Sequence, residues 1–123
     1  MQYLLLIHDD EQLWADMSED ERGAYFAEYM GYTQELIDAG VYVGGNQLQP
    51  TETATVVRVR DGETLTTDGP FAETKEQLAG YYMIEVDSLD DALDWAARIP
   101  SARIGTIEVR PVVPARVPAE AAG

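Results

Sequence analysis

Apolar and polar positions switch between two periods along this chain, and the switch points divide it into eight elements. Tyr3 to Ile7 is a short unbroken apolar run, as in a central strand buried on both faces, and His8 ends it. Asp9, Asp10 and Glu11 then predict a solvated acidic loop that contains Trp14. Ser18 and Glu21 form an S-x-x-E capping box that opens a helix. Within that helix Phe26, Met30, Thr33 and Ile37 recur at three- and four-residue spacing, with Tyr25, Tyr29, Tyr32 and Leu36 on adjoining faces. Gly40 supplies the stop.

Val41 to Val43 reads as a second strand ending at Gly44-Gly45, and Gln47 to Pro50 as a connector. Val57 and Val59 alternate with Arg58 and Arg60, Asp61-Gly62 signals a tight turn, and the chain returns through Glu63 to Thr67. A further strand is predicted over Tyr81 to Val86. Ser88 and Asp91 cap a second helix carrying Leu89, Ala92, Leu93, Ala96 and Ile99, closed by Pro100. Ile104 to Arg110 is the last strand. The Pro/Ala-rich residues 112–123 are expected to form a mobile tail after a single domain spanning 1–111. Two helices set between strands of a mostly antiparallel sheet give the ferredoxin-like α+β plan, here with an inserted β-hairpin. Both helices cover one face of that sheet. Tyr3, Leu5 and Tyr82 are expected to supply part of the uncovered face, and an exposed apolar face asks for a partner, so a homodimer is expected.

Composition narrows the function classes. Among 123 residues there are 23 acids and 8 basic residues, a net charge of −15, which repels phosphate backbones and anionic lipid surfaces. Neither nucleic acid nor membrane is therefore an expected partner. No apolar run approaches the ~20 residues of a membrane span, and no basic region precedes the first one, so the expected location is the cytoplasm. The absence of cysteine removes disulfides and thiolate metal sites, and one histidine leaves too few strong ligands for a metal to be expected. No nucleotide-binding fingerprint or nucleophile elbow is present, and no cofactor is expected.

The stretch TTDGPFAETKEQLAGYYMIEV, residues 66–86, holds the candidate chemistry. Gly69 is free to take positive φ, and Pro70 steers it away from the right-handed helical region. The polar run from Ala72 to Gln77 is longer than a tight hairpin needs, and such loops tend to carry function. It contains Lys75, the only lysine of the chain. DGPFAETKEQLAGYY resembles the signature of the DGPF group of YciI-related proteins. The likeness extends to the opening Tyr3-Leu4-Leu5-Leu6-Ile7-His8, the Val43-Gly44-Gly45 turn and the closing Ile107-Glu108-Val109-Arg110-Pro111.

That resemblance implies a dimeric α/β barrel, packed sheet against sheet. It also implies an acid–base pair made by a histidine at the end of the first strand and an aspartate of the later turn, which by position are His8 and Asp68. A carboxylate bonded to one ring nitrogen would orient the other for proton transfer. Asp68 has a structural alternative, because an aspartate before glycine often bonds its own turn. Gly69, Pro70, Phe71, Lys75 and Tyr82 are the candidate ligand-binding residues: Phe71 and Tyr82 as apolar walls, Lys75 for an anionic group. The enzyme reading is a small lyase or isomerase moving a proton on a small aromatic or unsaturated organic acid or enol. The alternative implied by the resemblance is a non-catalytic binding or regulatory module linked to extracytoplasmic-function sigma factors.

Overall fold

The structure, a computed structural model, describes residues 1–115; residues 116–123 of the expected tail lie outside the described residues. Strand β1 (Gln2–Asp9) is followed by helices α1 (Glu11–Asp16) and α2 (Glu19–Asp38) and strand β2 (Tyr42–Gln47). Strands β3 (Thr55–Arg60), β4 (Glu63–Asp68) and β5 (Gln77–Glu85), helix α3 (Leu89–Ala97) and strand β6 (Thr106–Pro111) complete the order. The main sheet runs β2-β5-β1-β6, antiparallel throughout, which is the ferredoxin-like arrangement. Strands β3 and β4 pair only with each other, as a separate two-stranded arm. Among the described residues no helix is long and apolar enough to cross a membrane.

β1 is central, as its apolar run requires, but it is buried on one face only. Tyr3, Leu5 and Ile7 are buried while Leu4 and Leu6 are half-buried, because side chains alternate across a strand with period two. The expectation that Tyr3, Leu5 and Tyr82 belong to the uncovered face is therefore corrected. They join Ile84, Tyr32, Leu36, Ala92, Ala96 and Ile99 in one core beneath α2 and α3. The uncovered face instead carries Leu4, Leu6, Tyr81 and Met83, which the register aligns across β1 and β5.

Helix α2 turns its tyrosine stripe inward. Tyr32 and Leu36 are buried, whereas Phe26, Met30 and Ile37 on the neighbouring stripe stay about half exposed. The choice follows from the phenol tips, which find acceptors inside: the Tyr32 hydroxyl donates to the Trp95 carbonyl at 2.8 Å. The capping box at Ser18 and Glu21 forms with both reciprocal bonds. The acidic stretch expected to be a loop is instead helix α1, because the Asp10 side chain accepts from the Gln12 N–H at 2.9 Å and caps it.

β2 does not stop at the two glycines but runs through them to Gln47. A Cβ on Gly45 would lie 2.8 Å from the Tyr81 carbonyl oxygen and 2.9 Å from the Tyr82 ring, so the strand can pass there only without a side chain. At the tip of the arm Asp61 and Gly62 both take positive φ, 52° and 75°, the geometry of a two-residue hairpin turn. β5 begins at Gln77, earlier than expected, and the β1–β5 register shifts between Ile7 and His8. The shift leaves Ala79 as an extra residue on β5, a bulge at the end of the sheet where the site lies. Beyond β6, the Val112 N–H donates to the Gln2 carbonyl at 2.9 Å, so the first residue of the expected tail extends the β6 edge along β1.

Candidate active site

His8 and Asp68 are not brought together within the chain. His8 lies on the uncovered face, with Nε2 3.2 Å from Oε1 of Glu108 on β6, and Arg110 Nε stands 3.9 Å from the other oxygen of that carboxylate. Asp68 is exposed at the end of β4, where Thr55 is its ladder partner. No hydrogen bond or ion pair joins the two among the described residues. The motif turn acts as turn chemistry predicts: Gly69 takes φ 104°, and its N–H donates to the Ala54 carbonyl at 2.7 Å. Pro70, Phe71 and Lys75 are exposed or nearly so, and the Arg58 guanidinium sits 5.9 Å from the centre of the Phe71 ring. Among the described residues, none of these three lines either of the two cavities described below. Of the candidate ligand-binding residues, Tyr82 belongs to the lining of the larger one.

That cavity, of about 630 Å³, opens between the first half of α2 and the helix-covered face of the sheet. Ile7, Gly45 and Tyr82 form its floor, Tyr25, Tyr29 and Thr33 of α2 one wall, and Leu48, Pro50 and Thr51 the opposite wall. Trp14, Phe26 and Met30, all partly exposed, form an apolar rim. The 48–52 wall is held by Glu11, whose carboxylate accepts from the Thr51 N–H at 2.7 Å and the Thr51 hydroxyl at 3.0 Å. On the floor the Tyr82 hydroxyl lies 2.6 Å from Thr33 Oγ1; because that oxygen donates its own proton to the Tyr29 carbonyl, Tyr82 is the donor.

At the inner end of the cavity four side chains form one network around Ser101, which is fully buried. Ser101 donates to Asp9 Oδ2 at 3.2 Å. Its oxygen lies 2.8 Å from the Tyr25 hydroxyl and 2.5 Å from the Tyr29 hydroxyl. A serine hydroxyl has one proton and two acceptor positions, so with the proton committed to Asp9 both phenols donate to Ser101. Asp9 thus collects, through one oxygen, the proton donors of two tyrosines. Gly105 lets the following turn press against this carboxylate: a Cβ there would overlap the His8 carbonyl oxygen and lie 2.9 Å from the Asp9 Cβ.

Burial raises the Asp9 carboxyl above the ordinary aspartate value; the Ser101 bond pulls the other way, and Glu76, Glu11 and Asp10 add to the rise. Burial likewise raises the Tyr25, Tyr29 and Tyr82 phenols, which therefore remain protonated donors. Among the described residues Asp9 Oδ1 takes no protein hydrogen bond. Every fully buried side-chain oxygen or nitrogen among those residues has a partner, so Oδ1 is reachable from solvent. A half-buried carboxylate with one oxygen fixed and one free, at the end of an aromatic cavity, is a built proton acceptor. A second, more open groove of about 470 Å³ between the end of β5 and α3 is lined by Asp87, Asp91, Asp94 and Arg98 and holds no comparable network. Among the described residues no three or more histidine, aspartate or glutamate side chains are placed to hold a metal ion together.

Sequence reasoning passed over Asp9, Tyr25, Tyr29 and Ser101. The available signal was the strand period: residue 9 continues the inward series of 3, 5 and 7, whereas His8 belongs to the outward one.

Comparison with known proteins agrees with this architecture. An uncharacterised protein of Rhizobium meliloti (strain 1021) is 39% identical over 114 residues, covering 91% of this chain and 92% of that protein. Among solved structures, the 5-chloro-2-hydroxyhydroquinone dehydrochlorinase TftG of Burkholderia phenoliruptrix AC1100, in complex with 2,5-dihydroxybenzoquinone, superposes with a TM-score of 0.53 at 14% identity. That match covers 92% of this chain and 94% of the dehydrochlorinase, and at such identity it shows the fold alone. Residues 1–116 match the YCII-related domain, and the chain belongs to that family.

Proposed function

We propose that this protein is a small enzyme of the lyase or isomerase class that moves a proton on a ring-sized aromatic or unsaturated molecule bound in the cavity beneath α2. The observation that carries this reading is Asp9, a residue of the cavity lining, with Oδ2 fixed by the Ser101–Tyr25–Tyr29 network and Oδ1 reachable from solvent. In that arrangement Asp9 is the general base, and the network stabilises the carboxylate before transfer and steadies the protonated form after it. The aromatic rim and the apolar floor suit a flat ring. The dehydrochlorinase of the same fold, solved with a dihydroxybenzoquinone, supports a substrate of that size. In this reading Asp9 takes the role that the family resemblance implies for His8 with Asp68. His8, paired with Glu108 on the opposite face, would serve assembly rather than the reacting centre.

For assembly we propose a homodimer in which a second copy covers the face bearing Leu4, Leu6, Tyr81 and Met83. The half-buried apolar residues of that face, and the exposed Val57 and Val59 of the β3–β4 arm, support it.

The proton-transfer reading is tested by incubating the protein in D2O with a panel of hydroxylated and unsaturated ring compounds and following protein-dependent deuterium incorporation by NMR. Wild type should accelerate exchange of at least one compound, and Asp9→Asn should abolish the acceleration while still binding it. Exchange that survives in Asp9→Asn but is lost in His8→Asn would move the chemistry to the other face of the sheet.

A further inference from the structure

The charge of the cavity lining decides what the bound molecule carries besides its ring. Among the described residues the lining includes three carboxylates, Asp9, Glu11 and Glu52, and no arginine, lysine or histidine. Two guanidiniums stand outside the lining: that of Arg103, which acts on the Tyr25 phenol and is paired with Glu28 at 2.6 Å, and that of Arg22. The Arg22 guanidinium sits 6.0 Å from the centre of the Trp14 ring and spends its Nε and one terminal nitrogen on the carbonyls of Trp14 and Ala15. Tyr25 and Trp14 meet edge to face at 6.1 Å, and Tyr25 and Tyr29 at 5.5 Å. Ring faces and phenol oxygens of this kind attract a cation, and the carboxylates add to that attraction at short range. Lys75, the residue expected to hold an anionic group, is exposed in the motif loop and is not part of the lining.

We infer that the cavity takes a cationic ring compound, an arylalkylamine in which a protonated amine follows the aromatic ring, and turns away carboxylates of the same size. This rests on the reading of the cavity as the ligand site and names the ligand class that reading leaves open. The ring would lie over the apolar floor, with the ammonium at the acidic inner end or near Glu52. An organic acid, the class considered from sequence, would bring a fourth negative charge into a space with no cation to receive it.

Three matched probes test the inference by calorimetric titration of the full chain: tyramine, 4-ethylphenol and 4-hydroxyphenylacetate, which differ mainly in bearing a positive, no, or a negative charge. The expected order is tyramine, then the phenol, then the acid, with at least tenfold between the first and the last. Long-range attraction by the −15 surface is separated from the cavity by repeating the series with Asp9→Asn, which changes the net charge by one in fifteen. The ratio of tyramine to acid affinity should fall at least fivefold in that variant. An unchanged ratio would assign the preference to the general surface field and overturn the inference. Binding of the acid as tightly as the amine would overturn it while leaving the cavity as a ligand site. If none of the three binds at millimolar concentration, while the Asp9→Asn fold is shown intact by its amide NMR spectrum, the ligand-site reading falls as well.

Discussion

Ser101→Ala removes the hub of the network without touching the core. The perturbation deletes one donor and one double acceptor at a buried position: the bond to Asp9, and the two bonds from Tyr25 and Tyr29. Each neutral hydrogen bond contributes about 0.5–1.5 kcal/mol net, and a bond to a charged group about 1.5–3 kcal/mol. The gross loss is then roughly 3–5 kcal/mol. All three partners border the cavity, so water entering it can recover part of that loss, and a net destabilisation of about 1.5–3 kcal/mol is expected. For a chain of this length that corresponds to a fall in melting midpoint on the order of 5–12 °C.

Urea unfolding at pH 7 gives the free energy directly, and a cycle with Tyr29→Phe isolates the shared part. Because Tyr29 has already lost its acceptor in Ser101→Ala, the double variant should be less destabilised than the sum of the singles by about 1 kcal/mol. The pH profile supplies an independent check. The Asp9 carboxyl is raised above 3.8 in the folded state, so the native protein binds more protons than the unfolded chain between those two values. Its contribution is most favourable below the unfolded value and declines as pH rises through the folded one. Losing the Ser101 donor raises the carboxyl further and should steepen that decline. A destabilisation below about 0.5 kcal/mol with strictly additive singles would refute the network.

Asp9→Asn keeps an acceptor for Ser101 but cannot ionise, so its unfolding free energy should lose the decline expected of the wild type as pH rises from the unfolded aspartate value through the raised folded one; parallel profiles would assign the raised carboxyl elsewhere. Gly45→Val should destabilise the protein by about 2 kcal/mol or more and disturb the Tyr82–Thr33 bond, because its branched side chain meets the Tyr81 carbonyl and the Tyr82 ring; amide exchange at Thr33 and Tyr82 reads the effect. Light scattering after size-exclusion chromatography should give about twice the 13.6 kDa chain mass at micromolar concentration, and a monomer there would remove the proposed cover of the outer sheet face. Glu108→Gln should alter the ring-nitrogen NMR shifts of His8 while Asp68→Asn leaves them unchanged, and the reverse result would restore the pair implied by sequence.

Much of the architecture was legible because local rules and global fold agree. The capping box at Ser18, the Asp61-Gly62 turn and the cap at Ser88 all depend on residues within three positions of one another, and each forms in the structure. The inner face of α2 was not legible for a physical reason. Two apolar stripes of similar strength run along it, and which one turns inward depends on acceptors such as the Trp95 carbonyl, 63 residues away. The network has the same origin: Ser101 sits 72 residues from Tyr29 and 92 from Asp9, separations that no periodicity in the chain encodes. Ser101 itself reads as the second residue of a Pro-Ser turn, with nothing local to distinguish it from a surface serine.

The family resemblance names His8 at the end of β1, and the base proposed from the cavity is its chain neighbour Asp9. His8 and Asp9 are neighbours in the chain, yet strand geometry sends one to Glu108 on the uncovered face and the other to Ser101 on the helix face. Had the bulge at Ala79 been on β1 instead of β5, the inward series of Tyr3, Leu5, Ile7 and Asp9 would have broken, and His8 could have followed Ile7 into the cavity. Placing the extra residue on β5 keeps β1 regular to its last position. A carboxylate can stand at that position because the core ends at Ile7: one step further, two phenols, a serine and free volume replace aliphatic packing. The same strand therefore changes from core to cavity lining within one residue pair. This is why Asp9, an ordinary member of an acidic run by sequence, acquires both a raised carboxyl and an open oxygen.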